Sequence, residues 1–161
     1  MKTLSARKLL NDALRDLARA SKGLAIMKKV LIADDDAALR RLMRATLEGE
    51  EYEILEATGG AQMLSVARER HPDLILLDVP MPDCAGIEMC RTLKTDPATS
   101  HVTIITLATD LPGDVQSSES GQIQLAQVQG EQLLAAGADH HLTKPFSPVE
   151  LLKLAESVPA R

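Results

Sequence analysis

Tryptophan is absent from this 161-residue chain, and Tyr52 and Phe146 are its only aromatic residues. Any core must therefore be aliphatic, and stacking platforms for single-stranded nucleic acid are excluded. Cysteine is nearly as scarce. Cys84 and Cys90 alone are present, at a spacing that suits neither a zinc knuckle nor a redox pair, so they read as core or surface thiols on the third helix. Long apolar runs are missing too, since none approaches the roughly 20 residues of a membrane span. With two thiols and no secretory signal, the expected location is the reducing cytoplasm.

What the chain does hold is 45% hydrophobic residues, enough for one domain with a sizeable core. Its net charge of −5 is unevenly spread. Residues 1–26 carry Lys2, Arg7, Lys8, Arg15, Arg19 and Lys22 against Asp12 and Asp16, a surplus of +4 that leaves −9 on the remainder. No basic groove is expected on so acidic a body, and hence no direct nucleic acid binding. Leu10, Ala13, Leu14 and Leu17 fall at helical spacing, so 1–26 reads as an amphipathic helical extension packed on the domain or a partner. A second unit, 27–161, then begins at "MKKVLIADDD".

From there strand and helix periods alternate. Short aliphatic strands at 29–33, 52–57, 73–78, 102–108 and 140–143 are separated by helical patterns. In the first of these helices Leu39, Leu42, Met43 and Leu47 share one expected apolar face. Alternation of this kind predicts an α/β fold, a doubly wound five-stranded parallel sheet in the flavodoxin-like order 2-1-3-4-5. One connection resists the pattern. Residues 110–130 are long for a strand-to-helix link and read as an insertion; "LPGDVQSSESG" is loop by composition, "QIQLAQVQ" stays open between strand and helix, and "EQLLAA" is helical.

The strand ends carry the chemistry. Asp34, Asp35 and Asp36 follow the first strand, Asp78 ends the third, and Lys144 and Pro145 follow the fifth. In order 2-1-3-4-5 the first and third strands are neighbours, so Asp34, Asp35 and Asp78 crowd into the switch-point crevice. Clustered like charges repel, and a hard divalent cation with oxygen ligands, Mg²⁺, resolves the conflict. Lys144 can hold a phosphoryl group against that ion, with Asp78 the nucleophilic carboxylate. Asp36 reads as a helix cap.

These segments, "VLIADDD", "DLILLDVPMPDCAG" and "AGADHHLTKPF", together resemble the receiver domain of two-component response regulators, from about Met27 to the last helix. The resemblance implies Asp78 as phospho-acceptor from a sensor histidine kinase or histidine phosphotransfer protein, signalling through protein–protein interaction with a downstream target or a second copy. It implies Asp34, Asp35, Asp78 and the backbone carbonyl of Pro80 as magnesium ligands. Lys144 is the implied phosphoryl contact, ahead of a cis Pro145, and Gly86 ends the loop after the acceptor. The domain is then no enzyme in the usual sense, but a phospho-acceptor that assists its own phosphotransfer and dephosphorylation.

Three positions depart from the family pattern. The usual Thr or Ser after the fourth strand is Ala108, with Thr109 one step later as a possible phosphoryl-binding substitute if the strand end shifts by one. Pro80 has no N–H to offer a phosphoryl oxygen. The aromatic switch position on the fifth strand is His141. Hydrogen bonds to charged groups contribute about 1.5–3 kcal/mol each, so losing two weakens the phosphorylated state by about 3–6 kcal/mol. An atypical receiver acting as a phosphorylation-independent interaction module is the alternative this favours. A third reading, a phosphatase with Asp34 and Asp36 as an Asp-x-Asp pair, expects Thr or Val where Ala38 stands. His140 and His141, adjacent on a strand, point to opposite faces and make a poor chelate. The insertion and the amphipathic extension are the expected association surfaces.

Overall fold

The computed structural model describes residues 27–48, 52–79, 81–109 and 129–160. The extension at 1–26, Pro80 and most of the 110–130 insertion lie outside them. Five parallel strands, β1 (Lys28–Ala33), β2 (Tyr52–Ala57), β3 (Leu74–Asp78), β4 (Thr103–Thr109) and β5 (His140–Lys144), run in the order β2-β1-β3-β4-β5. The connecting helices are α1 (Ala37–Leu47), α2 (Gly60–Arg70), α3 (Gly86–Thr95), α4 over 129–135 and α5 (Pro148–Ser157). The order is the one the sequence predicts.

β3 explains the architecture. Leu74, Ile75, Leu76 and Leu77 are all fully buried, which only a strand covered on both faces can achieve. Side chains alternate across the sheet. Ile75 and Leu77 join Leu31, Ile104, Met63, Ala67, Cys90, Leu93 and Leu133 in the core under α2, α3 and α4. Leu74 and Leu76 join Val30, Ile32, Ile105, Met43, Leu47, Leu151 and Ala155 under α1 and α5. Burying one such side chain is worth about 1.5–3 kcal/mol, so this strand's four residues contribute about 6–12 kcal/mol.

Local signals set the helix ends. Asp36 Oδ1 accepts from the backbone N–H of Ala38 and Leu39, capping α1 as expected. Ser147 caps α5, with Pro148 in its first turn. α2 stops at His71, whose φ of 48° lies in the left-handed region. Its start has no cap of its own; instead both oxygens of Asp83, from the loop after β3, accept from Gly60 N–H at 2.9 and 3.0 Å. One expectation fails in α1. Leu42 is 51% exposed while Met43 and Leu47 are fully buried. It lies about 100° round the helix from Met43, off the stripe that meets the sheet. Cys84 also lies before α3 rather than on it.

Candidate functional site at the carboxyl edge of the sheet

The site is assembled from the ends of three strands. β1 and β3 are hydrogen-bonded neighbours, with Ala33 opposite Leu77. The residues that follow, Asp34 and Asp78, therefore emerge side by side. Both are buried, Asp34 completely and Asp78 to 3% exposure, whereas Asp35 is exposed. One carboxylate oxygen from each of Asp34, Asp35 and Asp78 lies within 4.8 Å of the others. Lys144, at the end of β5, donates from Nζ to Asp78 Oδ1 at 2.8 Å and to Asp34 Oδ2 at 3.4 Å. The Lys144–Pro145 peptide bond is cis.

Charge and burial conflict here. Burial pushes the Asp78 carboxyl above its usual range; the Lys144 hydrogen bond opposes this, and the negative charges of Asp34 and Asp35 reinforce it. Three carboxylates against one ammonium leave an excess of negative charge. The donor set fits a hard cation. Octahedral coordination at 2.0–2.1 Å puts ligand oxygens about 2.9 Å apart when adjacent and about 4.2 Å when opposite. Among the described residues this is the one cluster of three or more such ligands.

Further contacts hold the pocket in shape. Asp34 Oδ1 accepts from Asp36 N–H at 2.8 Å, and Asp34 N–H donates to the Ala57 carbonyl at 3.2 Å. Arg40 Nη1 donates to the Asp34 carbonyl at 2.8 Å. Glu56 on β2 accepts from Arg44 Nε at 2.7 Å and Arg40 Nε at 3.4 Å, and the Arg44 bond above all holds its carboxyl below the usual range. No residue of this Arg–Glu network stands out from the sequence as functional. Its one signal is the four-residue spacing of Arg40 and Arg44, which aims two guanidinium groups along one side of α1.

The remaining candidates are distributed differently. Ala108 is buried in the core under α2, α3 and α4, the cluster that also holds Val79 and Met81. Thr109 pairs with Lys144 in the strand register, but its side chain, like Pro80, lies outside the described residues. His141 accepts from or donates to Thr106 Oγ1 through Nδ1 at 3.0 Å, and a Cβ at Gly130 would lie 2.8 Å from its ring. Burial lowers the His141 pKa. Asp36 caps α1 and is not part of the acidic cluster. Cys90 is fully buried and its thiol is pushed up to about 11, which makes it inert.

A doubly wound sheet with a charged crevice at its switch point defines a flavodoxin-like domain. The pattern of the response regulator receiver domain matches residues 30–156, and the chain belongs to that family. It is a receiver domain of two-component response regulators, a family that generally receives signals and does not act enzymatically. The phosphate regulon transcriptional regulatory protein PhoB of Pseudomonas aeruginosa is 40% identical over 131 residues, covering 81% of this chain and 51% of that protein. The transcriptional regulatory protein ResD of Bacillus subtilis is 37% identical, covering 77% of this chain and 45% of its own length. Among solved structures, the chemotaxis response regulator CheY4 of Vibrio cholerae superposes with a TM-score of 0.67 at 28% identity, covering 83% and 99% of the two chains. The chain spans about half the length of these two curated relatives. Among the described residues no helix is long and apolar enough to cross a membrane.

Proposed function

We propose that this domain takes a phosphoryl group onto Asp78 from a phosphohistidine of a sensor histidine kinase or phosphotransfer protein in the cytoplasm. One observation carries the reading: the carboxylates of Asp34, Asp35 and Asp78 converge within 4.8 Å, with the Lys144 ammonium 2.8 Å from Asp78. A carboxylate oxygen of Asp78 attacks phosphorus in line, the phosphorus–nitrogen bond breaks, and the donor imidazole leaves with its electron pair. Lys144 moves from pairing with Asp78 to holding a phosphoryl oxygen, a charge exchange its 15% exposed side chain can make without leaving the pocket. Asp34, Asp35, Asp78 and the Pro80 carbonyl would hold Mg²⁺, which offsets the charge on the transferring oxygens. Hydrolysis of the acyl phosphate by water returns Asp78 and inorganic phosphate, the self-assisted half of the cycle.

The output passes to a protein target or a second copy. Ala108 supports a weakened response, because a buried methyl group stands where the family usually has a hydroxyl. Thr109, beside Lys144 in the register, is the candidate replacement donor.

Incubation with acetyl phosphate and Mg²⁺, followed by intact mass, tests the reading. One phosphoryl group is expected on the wild type and none on Asp78→Asn. Equal labelling of Asp78→Asn, or no labelling at saturating Mg²⁺, would overturn it.

A further inference from the structure

We propose that Arg40 is a positioning residue of the metal pocket: its guanidinium fixes the end of β1 so that Asp34 and Asp35 present their carboxylates to the ion. The inference rests on the magnesium reading above and adds a residue outside the ligand set.

The contacts divide the work. Asp34 is the fully buried member of the cluster, and its side chain is already engaged by Asp36 N–H and Lys144. What sets its backbone is the Ala57 carbonyl on one side and Arg40 on the other, at 2.8 Å. Arg40 is itself held, 14% exposed, by Glu56, which Arg44 keeps in place from the next turn of α1. The chain of contacts therefore runs from the rigid strand β2 through Glu56 and Arg40 to the peptide between Asp34 and Asp35. A turn of that peptide redirects both ligands at once.

Sign separates this role from simple charge. A cation beside a magnesium site repels the ion, so an Arg40 acting only through its charge would weaken binding, and its removal would tighten it. A residue that orients ligands does the reverse, and loss of such supports typically costs 10–100-fold in metal affinity. Lysine is no equivalent, since one ammonium on a flexible stem cannot reproduce the fixed fork that reaches the Asp34 carbonyl and Glu56 together.

Isothermal titration of the full chain with Mg²⁺, well below the melting temperature, measures Kd for wild type, Arg40→Ala, Arg40→Lys, Glu56→Gln and Arg41→Ala. Arg41 is the control, because its substitution removes the same charge while its side chain, among the described residues, bonds only the Ala37 carbonyl of its own helix. Kd is expected to rise about 10–100-fold in Arg40→Ala, less in Arg40→Lys and Glu56→Gln, and to stay within about twofold in Arg41→Ala. Unchanged or tighter binding by folded Arg40→Ala overturns the proposal, as does a loss of equal size in Arg41→Ala. If Arg40→Ala does not fold, the lysine and Glu56 variants decide by the same criterion. Hydrogen exchange in magnesium-free buffer gives a second readout. The Asp36 amide, bonded to Asp34 Oδ1, should exchange faster in the Arg40 variants, and equal protection counts against the role. A wild type that binds no Mg²⁺ sinks the magnesium reading and this inference together; a wild type that binds as well as its Arg40 variants sinks the inference alone.

Discussion

Asp78 is asked to be two things, a charge and a core residue. Burial raises its folded pKa, so ionisation costs stability that is present at low pH and lost as pH rises through the folded value. Asp78→Asn removes this cost. In metal-free buffer at neutral pH the variant should melt above wild type, by about 2–4 °C per kcal/mol relieved, and the gain should shrink as pH falls toward the ordinary carboxylate value. Melting curves between neutral and mildly acidic pH check this; a gain independent of pH would reject it. Lys144→Met should act in the opposite sense, because Asp34 and Asp78 lose the ammonium they share. It should lower Tm at neutral pH, least near pH 4, and slow labelling by acetyl phosphate. Asp34 and Asp78 are legible in the sequence because each closes an aliphatic run, and Lys144 because it precedes a proline after the short fifth strand. Arg40 is not, because its importance lies in a backbone carbonyl six residues away that no side-chain pattern records.

Helices and strands differ in how plainly the sequence announces them. β3 declares itself through four consecutive aliphatic residues, and the meeting of Asp34 with Asp78 follows from the strand order. Leu42 misleads, because an apolar residue next to Met43 in sequence lies a quarter-turn or more off the stripe that meets the sheet. The coupling of elements was the hidden part. Asp83 closes the start of α2 from a loop 23 residues away, and nothing local marks it as a cap. Asp83→Ala should therefore destabilise the fold by about 0.5–2 kcal/mol, the usual cost of a lost cap, measured by urea titration. Leu76→Ala should cost about 2–5 kcal/mol in the same assay, whereas Leu42→Ala should stay within about 0.5 kcal/mol. Gly137, at φ 115°, closes the turn between α4 and β5 against Lys94. An alanine there is strained in backbone and space alike, and about 1–3 kcal/mol of destabilisation is expected.

The described residues form one sheet with a core on each face, and the charged pocket lies at its carboxyl edge. Deleting residues 112–128 should leave Mg²⁺ affinity intact, because the contacts described for the acidic cluster, Lys144 and the Arg40 network are made by other residues. A calorimetric Kd more than about threefold weaker would show that the segment reaches the pocket. Lys144 and Asp34 lie 110 positions apart, and Lys144 and Asp78 lie 66 apart. No fragment short of the assembled sheet can bring these groups to one point, so the pocket is among the last features a refolding chain acquires. The carboxylates proposed to hold the ion come from β1 and β3, so ion uptake during refolding would report the pairing of those two strands and trail the burst of helical ellipticity. The same dependence gives a quality check on preparations: the stoichiometry of bound magnesium would count only those molecules in which β1 and β3 have paired.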